Sequence, residues 1–160
     1  MVEKSNSWFD NKCYRRNKQK CSLLLYTNTK VSNMEKRVKE MLQQVIESKT
    51  YDEEVILQYF SPTYEQWVDH SKLDFEGFKQ HIKKLKQLIE TVEVQLVNTA
   101  VNDNTVFTKH LVYSVLKDGS QHTHKVLAEF TFAGNKIVRC EELTCLLSGS
   151  AKAKHLGSMT

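Results

Sequence analysis

The period of the hydrophobic pattern changes once along this chain, near residue 91, and this change limits the folds that the chain can adopt. Before it, apolar residues recur at helical spacing in three segments, whereas after it apolar and polar residues alternate. Turn sequences divide the alternating part at Asn-Asp-Asn 102–104, Asp-Gly 118–119 and Gly-Asn 134–135. We therefore predict four long antiparallel strands, at about 91–100, 105–117, 120–133 and 136–147.

Each of the three helical segments begins with the spacing of a capping box. The pairs are Ser32 and Glu35, Thr50 and Glu53, and Ser71 and Asp74. Pro62 is predicted to end the short second helix, and the third helix, at about 74–90, is predicted to be the longest. Between these two helices we expect a short strand at most.

The length of 160 residues suits one domain, and the hydrophobic fraction of 40% is enough for a core without disulfides or a metal. We expect this domain to cover 34–150, between a basic, disordered extension at 1–33 and a C-terminal tail at 151–160. The net charge of +4 comes from that extension, whose segment 12–20 is basic and contains no acidic residue. Because the remainder is close to neutral, nucleic-acid binding is not expected.

No apolar run approaches the roughly 18 residues that cross a bilayer, and the run at 22–26 is too short for the core of a signal peptide. We therefore expect a cytoplasmic protein that does not bind membranes. The four cysteines are interpreted as reduced thiols. The sequence contains neither a glycine-rich phosphate loop nor a convincing group of metal ligands, so no cofactor and no metal are predicted.

The predicted order of elements resembles that of the nuclear transport factor 2-like superfamily, and of its SnoaL-like members in particular. The residues that carry the resemblance are Tyr-Phe 59–60, Trp-Val-Asp 67–69 and the segments 73–82 and 133–144. The resemblance implies an α+β fold, a cone in which three N-terminal helices pack on a curved, mainly antiparallel sheet. This superfamily contains isomerases, cyclases, dehydratases, epoxide hydrolases and non-catalytic binding modules, so the fold alone does not define the activity.

Two-residue loops at the Asp-Gly and Gly-Asn turns would fix which residues share a face of the sheet. They predict a row of His110, Leu127 and Glu142 across three strands, with Lys125 and Glu129 diagonal to it. This polar face is either a solvated outer surface or the lining of a pocket. The resemblance favours the pocket, because SnoaL-like enzymes carry acid/base residues on the concave face of the sheet. It also places Glu142 where the epoxide hydrolases of the superfamily carry an aspartate.

Asp69 also has two interpretations. It could help the chain turn toward the third helix, although Ser71 and Asp74 are better placed to cap that helix. It could instead lie at the floor of a pocket beside Trp67, where apolar surroundings would raise its pKa and suit it to proton transfer.

We expect a pocket for a small apolar or partly polar ligand. If the protein is an enzyme, it would carry out cofactor-free proton transfer in an isomerisation, cyclisation or dehydration. Asp69 or His110 would be the base, Glu142 the second acid/base group and Lys125 the stabiliser of an oxyanion. The predicted ligand-binding residues are Trp67, Leu127, Glu129 and Cys140. The alternative is a non-catalytic ligand-binding or dimerisation module, and the resemblance implies a homodimer in either case.

Overall fold

The structure, a computed structural model, describes Val31 and residues 33–150, so most of the predicted extension and the whole C-terminal tail lie outside the described residues. Helix α1 covers 33–41 and continues as a π-helical segment, Leu42–Ile46. The elements that follow are α2 (Glu53–Tyr59), β1 (Phe60–Val68), β2 (Ser71–Asp74), α3 (Phe75–Leu88), β3 (Ile89–Asn102), β4 (Thr105–Leu116), β5 (Gln121–Ala133) and β6 (Lys136–Ser148). Within the described residues, no helix has the length and apolar character needed to cross a membrane.

The strands form one sheet in the order β2-β1-β6-β5-β4-β3. Neighbours are antiparallel except for β1 and β6, which run parallel. Bulges interrupt the pairing of β3 with β4 and of β5 with β6, and bulges bend strands and increase their twist. The predicted α+β fold, with helices on a mainly antiparallel sheet, is confirmed.

Between α2 and α3, the sequence predicts a short strand at most, and the structure differs. The segment forms a nine-residue strand, β1, and a four-residue strand, β2. Helix α2 ends at Tyr59, and Pro62 lies inside β1 instead of ending the helix. The register between β1 and β6 shifts between Phe60 and Glu65, so Pro62 occupies an irregular section where its missing N–H does not interrupt the ladder.

The helix caps lie later in the sequence than predicted. Asp52, not Thr50, caps α2 by accepting hydrogen bonds from the backbone N–H groups of the next turn. Asp74 caps α3 through the N–H of Gly77 at 2.8 Å, while Ser71 belongs to β2. A carboxylate in this position satisfies free N–H groups and also interacts favourably with the positive end of the helix dipole.

The core lies between the helices and the concave face of the sheet. Its helical side includes Met34, Val38, Met41, Phe78 and Ile82, and its sheet side includes Val106, Val126, Ala128, Phe130 and Ile137. At the β1 end of the core, the Phe78 ring centroid lies 4.7 Å from that of Phe60 and 5.0 Å from that of Tyr64. This aromatic cluster fixes the first half of α3 against β1.

The hairpin between β4 and β5 has one loop residue more than predicted. Leu116, not Lys117, pairs with Ser120, since its N–H donates to the Ser120 carbonyl at 2.9 Å. Gly119 has a φ of 83°, as in a three-residue loop that ends in a left-handed residue. His110 therefore lies opposite Val126, and the predicted pairing with Leu127 was wrong by one residue.

The hairpin between β5 and β6 begins as predicted, with Ala133 opposite Lys136. A bulge then shifts the register by one residue, so that Ala128, not Leu127, lies opposite Glu142. The two shifts add up to two residues between β4 and β6, so Thr144, not Glu142, lies in the row of His110 and Val126. An even shift preserves the face of β6, whereas the single shift reverses the faces of β5. His110 and Glu142 share a face as predicted, whereas the predicted placement of Lys125, Leu127 and Glu129 beside them is corrected.

Candidate functional site

A pocket of about 150 Å³ lies among α1, α3 and the concave face of the sheet. Much of its lining is apolar, including Met41, Phe60, Phe78, Ile82, Val112 and Phe130. Its polar lining includes Tyr64, Gln66, His110, Ser114, Cys140 and Glu142. Apolar cavities of about this volume admit a molecule the size of benzene.

Glu142 is the acidic group on the β6 wall of the pocket. Its Oε1 accepts a hydrogen bond from Gln66 Nε2 at 3.4 Å, and the Cys140 thiol lies 3.9 Å from its Oε2. The residue is partly exposed, but burial of the carboxyl raises its pKa from 4.5 to about 7. The negative charge of Asp69 acts in the same direction, while the bonds to Gln66 and Cys140 act against it. Near neutral pH, Glu142 can therefore act as either a proton acceptor or a proton donor.

Strand β1 supplies the groups that surround this carboxyl. Alternate residues point inward, so Tyr64, Gln66 and Val68 face the core while Trp67 faces outward. Gln66 lies opposite Cys140, and Val68 lies opposite Glu142. Burial raises the pKa of the Tyr64 hydroxyl and of the Cys140 thiol well above their ordinary values. Both groups are therefore neutral at physiological pH, and Cys140 does not form the thiolate that a nucleophile requires.

His110 supplies a neutral imidazole on the same face of the sheet. Burial lowers its pKa from 6.5 to about 4, and its Nδ1 lies 3.0 Å from Thr108 Oγ1. When the Thr108 hydroxyl donates to Nδ1, the proton of the neutral ring is on Nε2. His110 can then donate a hydrogen bond to a ligand without carrying a charge.

The inner side of β5 separates His110 from Glu142. Val126 lies opposite His110, and Ala128 lies opposite Glu142. Two strand spacings correspond to about 10 Å between the backbones of β4 and β6. A small ligand above Val126 and Ala128 would therefore have the imidazole on one side and the carboxyl on the other.

Asp69 occupies the turn between β1 and β2, with a φ of 52°. Its two carboxylate oxygens accept hydrogen bonds from the backbone N–H and the hydroxyl of Thr144, at 2.8 and 2.6 Å. Its own N–H donates to the carbonyl of Glu142 at 2.9 Å. Asp69 is not among the residues that line the pocket. These contacts make it an anchor that ties the β1–β2 hairpin to β6, and its charge acts on Glu142 from outside the pocket.

We expect Asp69→Asn to lower the free energy of unfolding by about 1–2 kcal/mol, because an amide replaces a carboxylate that accepts two hydrogen bonds. The same change should lower the pKa of Glu142, because it removes the negative charge of Asp69. Urea denaturation and a carbon-13 NMR titration of Glu142 measure the two effects. Asp103→Asn is the matched control, because Asp103 has a similar φ of 54°. Equal stability of the two variants would contradict the anchoring role.

The structure brings His110, Cys140 and Glu142 together in the pocket and places the other predicted site residues outside its lining. Trp67 lies on the outer face, with Lys72 Nζ 4.6 Å and Arg139 Cζ 4.4 Å from its ring centroid. The reversed faces of β5 turn three further predicted side chains away from the pocket, those of Lys125, Leu127 and Glu129. Of these, Leu127 is 50% exposed.

Several polar residues of the lining are not among the predicted site residues. These are Tyr64, Gln66, His81, Lys86, Ser114 and Thr144. Among the described residues, Gln66 Oε1 and Ser114 Oγ are buried side-chain atoms with no hydrogen-bond partner, and such atoms usually require one. Alternation from an outward Trp67 would have indicated that Gln66 faces inward, whereas Lys86 gives no comparable signal. Over 33–150, no three histidine, cysteine, aspartate or glutamate residues are grouped so that they could hold a metal ion.

Comparison with known proteins defines the fold more closely than the activity. No protein-family model matches the chain. An uncharacterised protein of Schizosaccharomyces pombe is 27% identical over 108 residues, which cover 68% of this chain and 83% of that protein.

Two crystal structures show the same architecture. AclR, described as a putative hydroxylase from Streptomyces galilaeus, has a TM-score of 0.64 and 11% identity over 81% of this chain and 88% of AclR. A putative SnoaL-like polyketide cyclase from Jannaschia sp. CCS1 has a TM-score of 0.61 and 13% identity, over 71% of this chain and 86% of the cyclase. The chain therefore has the nuclear transport factor 2-like fold. Its resemblance to the SnoaL-like proteins of that superfamily is confirmed at the level of the fold.

Proposed function

We propose that the protein is a cofactor-free enzyme that moves protons on a small molecule held in the pocket, with Glu142 as the acid/base group. The observation that supports this proposal is a carboxyl whose pKa is about 7 in a largely apolar cavity. A buried acid with a perturbed pKa, in a cleft and with a defined hydrogen-bond donor, is typical of an acid/base site. The neutral imidazole of His110 supports the same proposal.

In the proposed reaction, the Glu142 carboxylate removes a proton from a carbon next to a ligand carbonyl. The electron pair of the broken C–H bond moves into the new C=C bond, and that of the carbonyl moves to its oxygen. His110 Nε2–H donates a hydrogen bond to this oxygen and stabilises the enolate. Where a C=C bond of the ligand is conjugated with the enolate, return of the proton from Glu142 to the far carbon of that conjugated system shifts the double bond and completes an isomerisation. Attack of the enolate on a second carbonyl of the same molecule gives a cyclisation, in which Glu142 protonates the new alkoxide.

We expect Glu142→Gln to slow the exchange of acidic C–H protons by about 100-fold, because an amide cannot accept the proton. A panel of small cyclic ketones and β-diketones in D₂O, followed by proton NMR, measures the exchange. Glu93→Gln is the control, because it removes an exposed carboxylate from the sheet outside this pocket. Enzyme-dependent exchange that is equally fast in Glu142→Gln would disprove the role of Glu142. Binding of panel members without exchange would instead support a non-catalytic binding module.

We also propose that the protein forms a homodimer through the outer face of its sheet. Leu127 and Leu143 are paired neighbours on this face, and they are 50% and 61% exposed. Glu129 lies on one side of this apolar pair along β5, and Lys125 lies on the other. A two-fold axis near Leu127 would set Glu129 of each copy against Lys125 of the other, which is the self-complementarity that a dimer interface needs.

We expect Leu127→Glu to raise the dissociation constant of this dimer at least about 10-fold, because it buries a carboxylate at the centre of the interface. Sedimentation velocity at tens of micromolar protein measures the change. Leu57→Glu is the control, because Leu57 is 42% exposed on α2. A wild-type protein that is monomeric at this concentration would rule the dimer out.

A further inference from the structure

We propose that Lys86 binds an anionic group of the ligand, and that the substrate is therefore a small ring molecule with a carboxylate at one end. This inference rests on the proposed use of the same pocket for proton transfer. It adds a second recognition point, remote from Glu142, and so defines the ligand by its charge and length.

Lys86 lines the pocket near the C-terminal end of α3 and is half-buried. Its Nζ donates a hydrogen bond to the carbonyl of Ile46 at 2.6 Å. No carboxylate of the described residues forms an ion pair with it. An ammonium group has three N–H donors, so the bond to Ile46 leaves two for a ligand. Burial lowers the pKa of Lys86 to about 8, which leaves the side chain mostly protonated at neutral pH.

The other charged residues of the pocket lining already have partners. Glu47 accepts a hydrogen bond from the backbone N–H of Val94 at 2.6 Å. Glu90 forms an ion pair with Lys49 at 3.9 Å. A half-buried ammonium bound only to a neutral carbonyl is costly, because burial removes water that would otherwise solvate its charge. A ligand carboxylate beside Lys86 would supply the missing counter-charge.

Helix α3 sets the distance between the two recognition points. Phe78 packs against Tyr64, which belongs to the same cluster as Cys140 and Glu142. Lys86 follows Phe78 by eight residues, or about 12 Å along the helix axis. Long helical side chains lean back toward the N-terminus, so the ammonium lies on the order of 10 Å from the level of Phe78.

The chemistry at the other end of the pocket defines the second half of the ligand. Gln66 Oε1 lacks a partner, and both this amide oxygen and the carboxylate of Glu142 accept hydrogen bonds. A ligand hydroxyl, or the enol form of a carbonyl, would donate to them. The side chains between the two ends include Ile82, Leu85 and Val112, which suit one apolar ring.

The test compares the binding of 3-(4-hydroxyphenyl)propanoate with that of its primary amide, by isothermal titration calorimetry on the full chain at pH 7. We expect the carboxylate to bind wild-type protein at least about 10-fold more tightly than the amide. Lys86→Gln should remove this difference, because it keeps an N–H donor for the Ile46 carbonyl and loses the charge. Lys86→Arg should retain the difference. Lys83→Gln, an exposed position on the same helix, should also retain it.

Two outcomes would overturn the inference: a wild-type protein that binds the acid and the amide equally, or a Lys86→Gln variant that still prefers the acid. Failure of both probes to bind at millimolar concentration would overturn the ligand class. The exchange experiment on Glu142→Gln tests the proposed function separately. Lys86-dependent binding with Glu142-independent exchange would leave the anion site in place and remove the proton-transfer proposal. Binding that does not depend on Lys86, together with exchange that depends on Glu142, would remove the anion site and leave the proton-transfer proposal in place.

Discussion

Replacing Glu142 with Gln should raise the free energy of unfolding by about 3 kcal/mol at pH 8 and leave it nearly unchanged at pH 4. The folded pKa of Glu142 is about 7 against an ordinary value of 4.5, and each pKa unit corresponds to about 1.4 kcal/mol. Below pH 4.5 the carboxyl is protonated in both states and does not affect stability. As pH rises from 4.5 to 7, the unfolded state loses the proton first, so the folded state is progressively destabilised. Gln has no proton to lose and removes this effect.

Urea denaturation of both proteins from pH 4 to pH 9 measures the difference between the two stability curves. That difference should appear through the window from pH 4.5 to 7 and remain constant above it. Glu93→Gln, which removes an exposed carboxylate, should give a nearly flat difference curve. A Glu142→Gln variant that is less stable than wild type at pH 8 would show that the carboxylate stabilises the fold, which is incompatible with a desolvated acid.

The sequence predicted the number, order and approximate limits of the four long strands because a change of hydrophobic period depends on local residues alone. The loop between β4 and β5 was less predictable, since Asp-Gly fits either a two-residue or a three-residue hairpin. In the structure, Asp118 Oδ1 accepts hydrogen bonds from the N–H and the hydroxyl of Ser120. These contacts accompany the longer loop. One additional residue was enough to reverse the predicted faces of β5.

The hydrophobic pattern of β5 favoured the correct face when taken by itself. Its even positions from 126 to 132 are Val, Ala, Phe and Phe, whereas its odd positions from 125 to 131 include Lys, Glu and Thr. The burial of the even positions shows that packing, and not the Asp-Gly turn sequence, decides the register of β5.

The prediction for the site was limited by contacts between residues that are distant in the sequence. Asp69 meets Thr144, which is 75 residues away, and no local pattern indicates that both carboxylate oxygens are used there. His110 and Glu142 share a face, as predicted, because the two register shifts add up to an even number of residues between β4 and β6. The position of Lys86 in the pocket depends on how α3 crosses the sheet. A lysine near the C-terminal end of a helix is usually a surface residue, so the sequence did not indicate a pocket position.

We expect His110→Gln to have the opposite pH dependence, raising the free energy of unfolding by about 3 kcal/mol at pH 4 and leaving it unchanged at pH 8. Burial lowers the pKa of His110 from 6.5 to about 4. Above pH 6.5 the ring is neutral in both states and does not affect stability. As pH falls from 6.5 to 4, the unfolded state gains a proton that the folded state cannot readily accept, and the folded state is destabilised. Urea denaturation over the same pH range measures this effect.

In the wild-type protein, the effects of Glu142 and His110 on the pH dependence of the free energy of unfolding should compensate each other. Glu142 destabilises the fold increasingly as pH rises and His110 does so as pH falls, over overlapping windows of similar size. Their sum is nearly constant between pH 4 and pH 8, so these residues leave the wild-type curve almost flat while each single variant acquires a slope. The double variant should regain the flat profile and be about 3 kcal/mol more stable than wild type throughout. A double variant no more stable than wild type at any pH would show that neither group is desolvated. The expected gain in stability would instead show that the fold keeps two destabilising groups in one pocket, as a site that exchanges protons requires.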